Sequence, residues 1–190
     1  MKRLLAAVAL FCCASILFVG LVLSRASGAQ QGPETADVIL RTSHGDVALV
    51  LYPDVAPLTV ERFLNCVRKG VYDGTTFHMA NDVMVYGRIM LPDGSEKAAY
   101  AGAPTPSEVH DGLLHERGVV GVVTYGASEE WRYQSHEFYI CRAPVPEADG
   151  VLTIFGRVVY GMEIIDQISE SAGGDMVPAL AVTIDSVKIP

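Results

Sequence analysis

Residues 55–78, Val55-Ala56-Pro57-Leu58-Thr59-Val60-Glu61-Arg62-Phe63-Leu64-Asn65-Cys66-Val67-Arg68-Lys69-Gly70-Val71-Tyr72-Asp73-Gly74-Thr75-Thr76-Phe77-His78, decide the architecture, because the hydrophobic period changes within them. Val60, Phe63, Leu64 and Val67 fall at i, i+3, i+4 and i+7, one apolar stripe of a helix. Arg62, Arg68 and Lys69 lie off that stripe, and Gly70 is placed to end the helix. Tyr72-Asp73-Gly74 then reads as a turn, and Thr75 to Met79 and Val83 to Gly87 as two short strands.

Upstream, Val38-Ile39-Leu40, a turn at Ser43-His44-Gly45-Asp46 and the run Val47 to Tyr52 form a hairpin pattern that Pro53 and Pro57 end. Downstream, strand character returns at Val119 to Thr124, Glu137 to Cys141 and Thr153 to Val159. A short helix is expected over Met162 to Ser169, where Ile164, Ile165 and Ile168 share a face, and Val182 to Ile189 closes the chain as an alternating strand. These are eight strands and two helices without internal repeats, a mainly β chain. No strand–helix alternation suggests a parallel sheet, so an antiparallel barrel or sandwich is expected. Residues 89–117, with Pro92, Pro104 and Pro106, form a long irregular stretch of the kind that is functional or disordered.

The charge distribution divides the 190 residues into unequal parts. Lys2, Arg3 and Arg25 are the only charged residues of the first 29. Removing these three from the chain's 14 basic residues leaves 11 against 22 acidic ones, a net of -11. Such a surface repels phosphate backbones and anionic lipid head groups, so nucleic acid is excluded as a partner and the membrane is met only through the N-terminus. There, Lys2 and Arg3 precede an uncharged run from Leu4 to Leu23, followed by Ser24-Arg25-Ala26-Ser27-Gly28-Ala29. This pattern is either a secretory signal cleaved after Ala29 or, since the run is long enough to cross a bilayer, a retained anchor. Either places the globular part outside the cytoplasm, periplasmic or secreted. Residues 1–29 are thus expected to be signal or anchor, 30–36 a linker and 37–190 the domain. Within the domain, Cys66 and Cys141 either pair or are buried as small hydrophobes.

Several stretches resemble the cyclophilin family of peptidyl-prolyl isomerases. Val55-Ala56-Pro57-Leu58-Thr59-Val60-Glu61-Arg62-Phe63-Leu64 is similar to the family's first helix and its approach, and Gly70-Val71-Tyr72-Asp73-Gly74-Thr75-Thr76-Phe77-His78 to the start of its catalytic strands. Phe138-Tyr139-Ile140, Ala143-Pro144, Asp149-Gly150 and Phe155-Gly156-Arg157-Val158-Val159-Tyr160-Gly161-Met162 resemble its second half, so the likeness runs in one order from about residue 38 to 189. It implies an eight-stranded antiparallel barrel capped by two helices, with an outer groove for proline-containing peptides and no cofactor.

Rotation about an X-Pro bond faces a barrier of about 18–20 kcal/mol because amide resonance must be broken. Catalysis needs no nucleophile or base, only a pocket that grips the proline ring and a donor for the twisted amide. A guanidinium suits the second task, being always charged with several N–H groups in a fixed fork. The resemblance puts the family's catalytic arginine after the Phe-His pair, where this chain has Met79. A thioether donates nothing. The family's pocket phenylalanine and groove glutamine correspond to Val83 and Tyr86, its second glutamine to Glu137, and its pocket aromatic to Tyr139. Its tryptophan and histidine correspond to Glu147 and Leu152. Met84 is kept, and Phe138 is read as core or groove.

Arg88 lies two residues beyond Tyr86, so on a regular strand it shares that residue's face and offers a substitute guanidinium. Trp131, the only tryptophan, is expected in a loop as a binding anchor or as a lid on the groove. His78, His110, His115 and His136 have no metal-ligand spacing, and structural roles are expected for them. Two functions follow from the resemblance and its departures. One is an isomerase acting on X-Pro bonds of exported polypeptides, weak or lost because of Met79. The other is a non-catalytic module of the cell envelope that binds proline-containing clients as a chaperone or scaffold.

Overall fold

A computed structural model describes residues 36–97, 105–125 and 132–190, without the side chains of 125 and 132–136. The segment 1–29, nearly all of the expected linker, and Trp131 lie outside the described residues. In chain order the elements are β1 (Val38–Thr42), β2 (Gly45–Leu51), α1 (Pro57–Arg68), β3 (Thr75–Ala80), β4 (Met84–Arg88), β5 (Thr105–Pro106), β6 (Val119–Tyr125), β7 (Arg132–Cys141), β8 (Ile154–Tyr160), α2 (Met162–Glu170) and β9 (Thr183–Lys188). A single 3-10 turn, Pro146–Ala148, precedes β8.

The strands hydrogen-bond in the order β4-β3-β9-β1-β2-β8-β6-β7, and β7 pairs back onto β4, closing an eight-stranded antiparallel barrel. Closure removes the unpaired edges that an open sheet would expose. The expected eight strands and two helices are present. The one addition is β5, two residues paired to β7 at Thr105 and Pro106 inside the stretch read as irregular.

The apolar residues sort by strand alternation into two clusters. Inside the barrel, Val85 on β4, Val120 and Val122 on β6 and Phe138 and Ile140 on β7 join Phe63 and Val67 of α1 and Ile165 and Ile168 of α2. Phe138 is fully buried at the centre, edge-on to Phe63, Tyr72 and Phe77 at ring separations of 5.9, 5.5 and 6.3 Å. It is therefore an interior residue rather than a groove residue. The second cluster, on the outer wall, holds Met84, Tyr139, Cys141 and Ala148. Cys66 belongs to the inner cluster and Cys141 to the outer, both buried and not joined by a disulfide, so burial rather than pairing describes them. The Cys141 thiol is pushed up to about 12 by that burial, with the Asp149 carboxylate adding to the effect.

α1 begins without a side-chain cap of its own and with no acid in its first turn. The orphan N–H groups of Leu58 and Thr59 instead donate to the Glu108 carboxylate at 3.0 and 2.8 Å, and the Thr59 hydroxyl donates to it at 2.7 Å. A carboxylate at a helix N-terminus satisfies free donors and opposes the helix dipole. Glu108 comes from the stretch read as irregular, which is thereby tied to the barrel; its own N–H donates to Thr153 Oγ1 at 2.9 Å.

The Phe138 ring lies directly over Gly87. A Cβ added there would meet ring atoms at 2.4, 2.6 and 2.9 Å. Overpacking of this kind costs about 1–3 kcal/mol. Gly87→Ala should lower the unfolding free energy by that amount, read as a lower urea midpoint at unchanged slope, whereas an alanine tolerated without loss would mean that Phe138 is not fixed at the barrel centre.

Candidate functional site

The outer cluster is assembled where β4 and β7 close the barrel. Met84 pairs opposite Cys141 and Tyr86 opposite Tyr139, so all four face outward together. Val83, Tyr86, Val123 and Leu152 are half-buried against them. The β3–β4 turn is fixed by Asn81, whose side-chain oxygen accepts the N–H groups of Val83 and Met84 at 3.0 and 2.7 Å. Tyr86 Oη lies 3.2 Å from Met84 Sδ, and the Tyr86 and Tyr139 rings are 6.3 Å apart.

Tyr139 is 1% exposed, and its hydroxyl lies 2.8 Å from Nε2 of the buried His115. His115 Nδ1 lies 2.9 Å from Asp149 Oδ1, which also accepts the His115 backbone N–H at 2.6 Å. A carboxylate only accepts, so Nδ1 donates and, in the neutral ring, Nε2 accepts the phenol proton. Burial drives the Tyr139 phenol well above its ordinary value, keeping the hydroxyl a donor. The two N–H groups of His115 hold Asp149 below the usual carboxylate range. Room for the hydroxyl comes from Gly121, paired opposite Tyr139 on β6, where a Cβ would stand 2.2 Å from Oη.

Beside this cluster lie charged residues. Met79 pairs opposite Tyr86 across β3 and β4, on the same face. Arg88 Nε stands 2.7 Å from Oε1 of Glu137, an ion pair without the alignment of a hydrogen bond, and Arg88 Nη2 donates to Glu96 at 3.2 Å. Glu137 is only 3% exposed and lies two residues before Tyr139 on β7. His78 sits at the irregularity in the β3–β4 register; its Nδ1 is buried without a partner, and burial lowers its pKa against the opposing pull of Glu137.

The structure thus brings together Val83, Met84, Tyr86, Tyr139 and Leu152 as one apolar cluster on the outer wall, Met84 and Tyr139 buried and Val83, Tyr86 and Leu152 half-buried over them, with Met79, Arg88 and Glu137 at its side. Phe138 is withdrawn into the core, and Glu147 is exposed on the 3-10 turn. The structural role expected for His115 is present, but sequence reading did not foresee its partners Tyr139 and Asp149 or the role of Gly121. The only signal was indirect: Asp149-Gly150 was among the matching stretches, and a phenol at 139 needs a buried partner.

Residues 37–189 match the family model of cyclophilin type peptidyl-prolyl cis-trans isomerase/CLD. A peptidyl-prolyl cis-trans isomerase-like 1 of Rhizopus delemar is 34% identical over 137 residues, covering 71% of this chain and 81% of the relative. A peptidyl-prolyl cis-trans isomerase of Streptomyces antibioticus is 34% identical over 164 residues, covering 80% and 97%. Among solved structures, a Cryptosporidium parvum cyclophilin type isomerase crystallised in the presence of the dipeptide Ala-Pro superposes with a TM-score of 0.69 over 80% of this chain and 98% of that one. At 22% identity this likeness speaks for the fold.

Two substitutions test the buried chain of polar groups. Tyr139→Phe leaves His115 Nε2 buried and unpaired and should cost about 1–3 kcal/mol in denaturant unfolding; an unchanged midpoint would show the bond to be idle. Asp149 has a folded pKa depressed below 3.8, so its contribution is complete at neutral pH and is lost as pH falls through the carboxylate range. The stability gap between the unmodified protein and Asp149→Asn should therefore be flat above about pH 5 and shrink below about pH 4. A gap independent of pH would remove this assignment.

Proposed function

The chain belongs to the cyclophilin-type peptidyl-prolyl cis-trans isomerase family, and from that premise we propose that it is a slow prolyl isomerase whose guanidinium comes from Arg88 on β4 instead of from β3. The observation that carries this reading is the Arg88–Glu137 pair, a guanidinium held at 2.7 Å by a buried carboxylate beside the Met84, Tyr86 and Tyr139 surface. The apolar surface takes the proline ring. Arg88 donates toward the prolyl amide as it twists out of conjugation, an interaction strongest in the transition state.

The rate is low for a physical reason. Glu137 and Glu96 both draw on the Arg88 guanidinium, so part of its charge is already compensated in the resting protein. The same observation, together with the thioether at Met79, supports a second reading, a module that binds proline-containing polypeptides without turning them over. In both, the clients are exported polypeptides met outside the cytoplasm, which Lys2, Arg3 and the uncharged run to Leu23 support.

The test is a protease-coupled prolyl isomerisation assay on the unmodified protein, Arg88→Ala and Met79→Arg. The unmodified protein should accelerate isomerisation measurably, and Arg88→Ala should return it to the uncatalysed rate. Met79→Arg should raise kcat/KM by about 10²-fold, the usual worth of one preorganised donor. No turnover until Met79→Arg is introduced would favour the binding module, and full activity in Arg88→Ala would overturn the assignment of the donor.

A further inference from the structure

We propose that a second cleft, separate from the groove, binds polypeptide segments in which a large apolar residue is followed by a carboxylate. The cleft is lined by Tyr52 just after β2, by the segment before β6, by Val119 at the start of β6 and by Ile154, Arg157 and Val158 of β8, with a volume of about 370 Å³, within the size range of ligand-binding clefts. It does not depend on the isomerase reading.

One wall is the segment before β6, which has two working sides. His115 turns from it into the groove, buried and bonded to Tyr139. Leu113 and Leu114 turn the other way and line the cleft, Leu114 with 55% of its surface exposed. An exposed leucine beside the half-buried Leu113 and Val119 is surface that an apolar side chain would cover.

The opposite side of the cleft carries Arg157, on β8 between Val50 of β2 and Val119 of β6. Its side chain is exposed, and no carboxylate among the described residues lies within ion-pair distance of it. The contrast with Arg117, the other cation of the cleft, is informative. Arg117 donates to both oxygens of Asp166 at 2.8 and 2.7 Å and to the Arg142 carbonyl at 2.9 Å, so it is spent on the fold. Glu116 is the one carboxylate in the lining; it is exposed at the rim and leaves Arg157 unpaired. The Tyr52 hydroxyl beside Arg157 offers a further hydrogen-bond donor.

In a domain with 22 acidic and 11 basic residues after position 29, an arginine without a carboxylate partner, in a cleft with an exposed leucine, is chemically complementary to an anion attached to an apolar group. A guanidinium fork accepts a carboxylate in two-point fashion, and Tyr52 can share the load. Neighbouring carboxylates of the same surface repel an isolated acidic peptide, so the apolar anchor is required for retention.

The experiment is a fluorescence-anisotropy titration of the full chain with a labelled, proline-free peptide containing Leu-Phe-Glu-Glu. Saturable binding that weakens with added salt is expected. Arg157→Glu should weaken it at least tenfold, Arg157→Lys only a few-fold, and a Leu-Phe-Lys-Lys peptide should not bind. The melting temperature of Arg157→Glu should match that of the unmodified protein, since the residue is exposed. An unlabelled Ala-Pro peptide should leave the complex intact. No saturable binding up to millimolar protein, equal affinity in Arg157→Glu, equal binding of the lysine peptide, or displacement by Ala-Pro would each overturn the proposal.

Discussion

The pairing of β4 with β7 is the contact on which both the core and the groove depend. Side chains alternate across a strand, so its register decides which residues go inward. With Tyr86 opposite Tyr139 and Gly87 opposite Phe138, one step along the strands separates the barrel centre from the outer surface. A slip by one residue would turn Phe138 outward and point Glu137 into the apolar interior, although its charge now has Arg88 at its side. Two glycines make this register sterically possible. Gly87 gives the Phe138 ring its place inside the wall, and Gly121 gives the Tyr139 hydroxyl its place outside it.

The same register governs the electrostatics of the groove. Tyr86, Arg88, Glu137 and Tyr139 all lie on the outward phase of their strands, so the ion pair and the apolar surface are adjacent by construction. The Arg88 guanidinium lies on the outward side of β4, between Glu96 and Glu137. At β4 it must be held by a carboxylate that is itself almost wholly buried. Removing either partner leaves the other charge uncompensated, which makes Arg88 and Glu137 a unit rather than two independent residues.

The strands and helices were legible in the sequence because their signals are local, a 3.6-residue stripe at Val60, Phe63, Leu64 and Val67 and turn residues at fixed offsets, whereas closure into a barrel rather than a sandwich was implied by the resemblance to cyclophilins. The shared face of Tyr86 and Arg88 followed from alternation along a strand. What was not legible depends on contacts distant in sequence. Glu108 caps α1 from about fifty residues away, and nothing in its surroundings marks it as a cap. His115 and Asp149 meet Tyr139 only after the barrel has closed. Phe138 and Tyr139 are both aromatic neighbours in a strand, and composition alone cannot say which one is inside. The short β5 escaped notice because a two-residue strand containing Pro106 has no period to detect.

The segment from Glu108 to Arg117 shows how an irregular stretch can be held as firmly as a strand. Glu108 joins it to α1 and to Thr153, His115 to Tyr139 and Asp149, and Arg117 to Asp166 on α2. Two of the ties satisfy groups that would otherwise lack partners, helix N–H donors and a buried imidazole, and the third is a part-exposed ion pair in which Arg117 holds Asp166 in its charged form. Because the ties go to different elements, the segment cannot move toward one without loosening another. A wall fixed in this way can present His115 to the groove and Leu113 and Leu114 to the opposite cleft at the same time. The two surfaces therefore share one rigid element, and a change in the chain at this segment alters both.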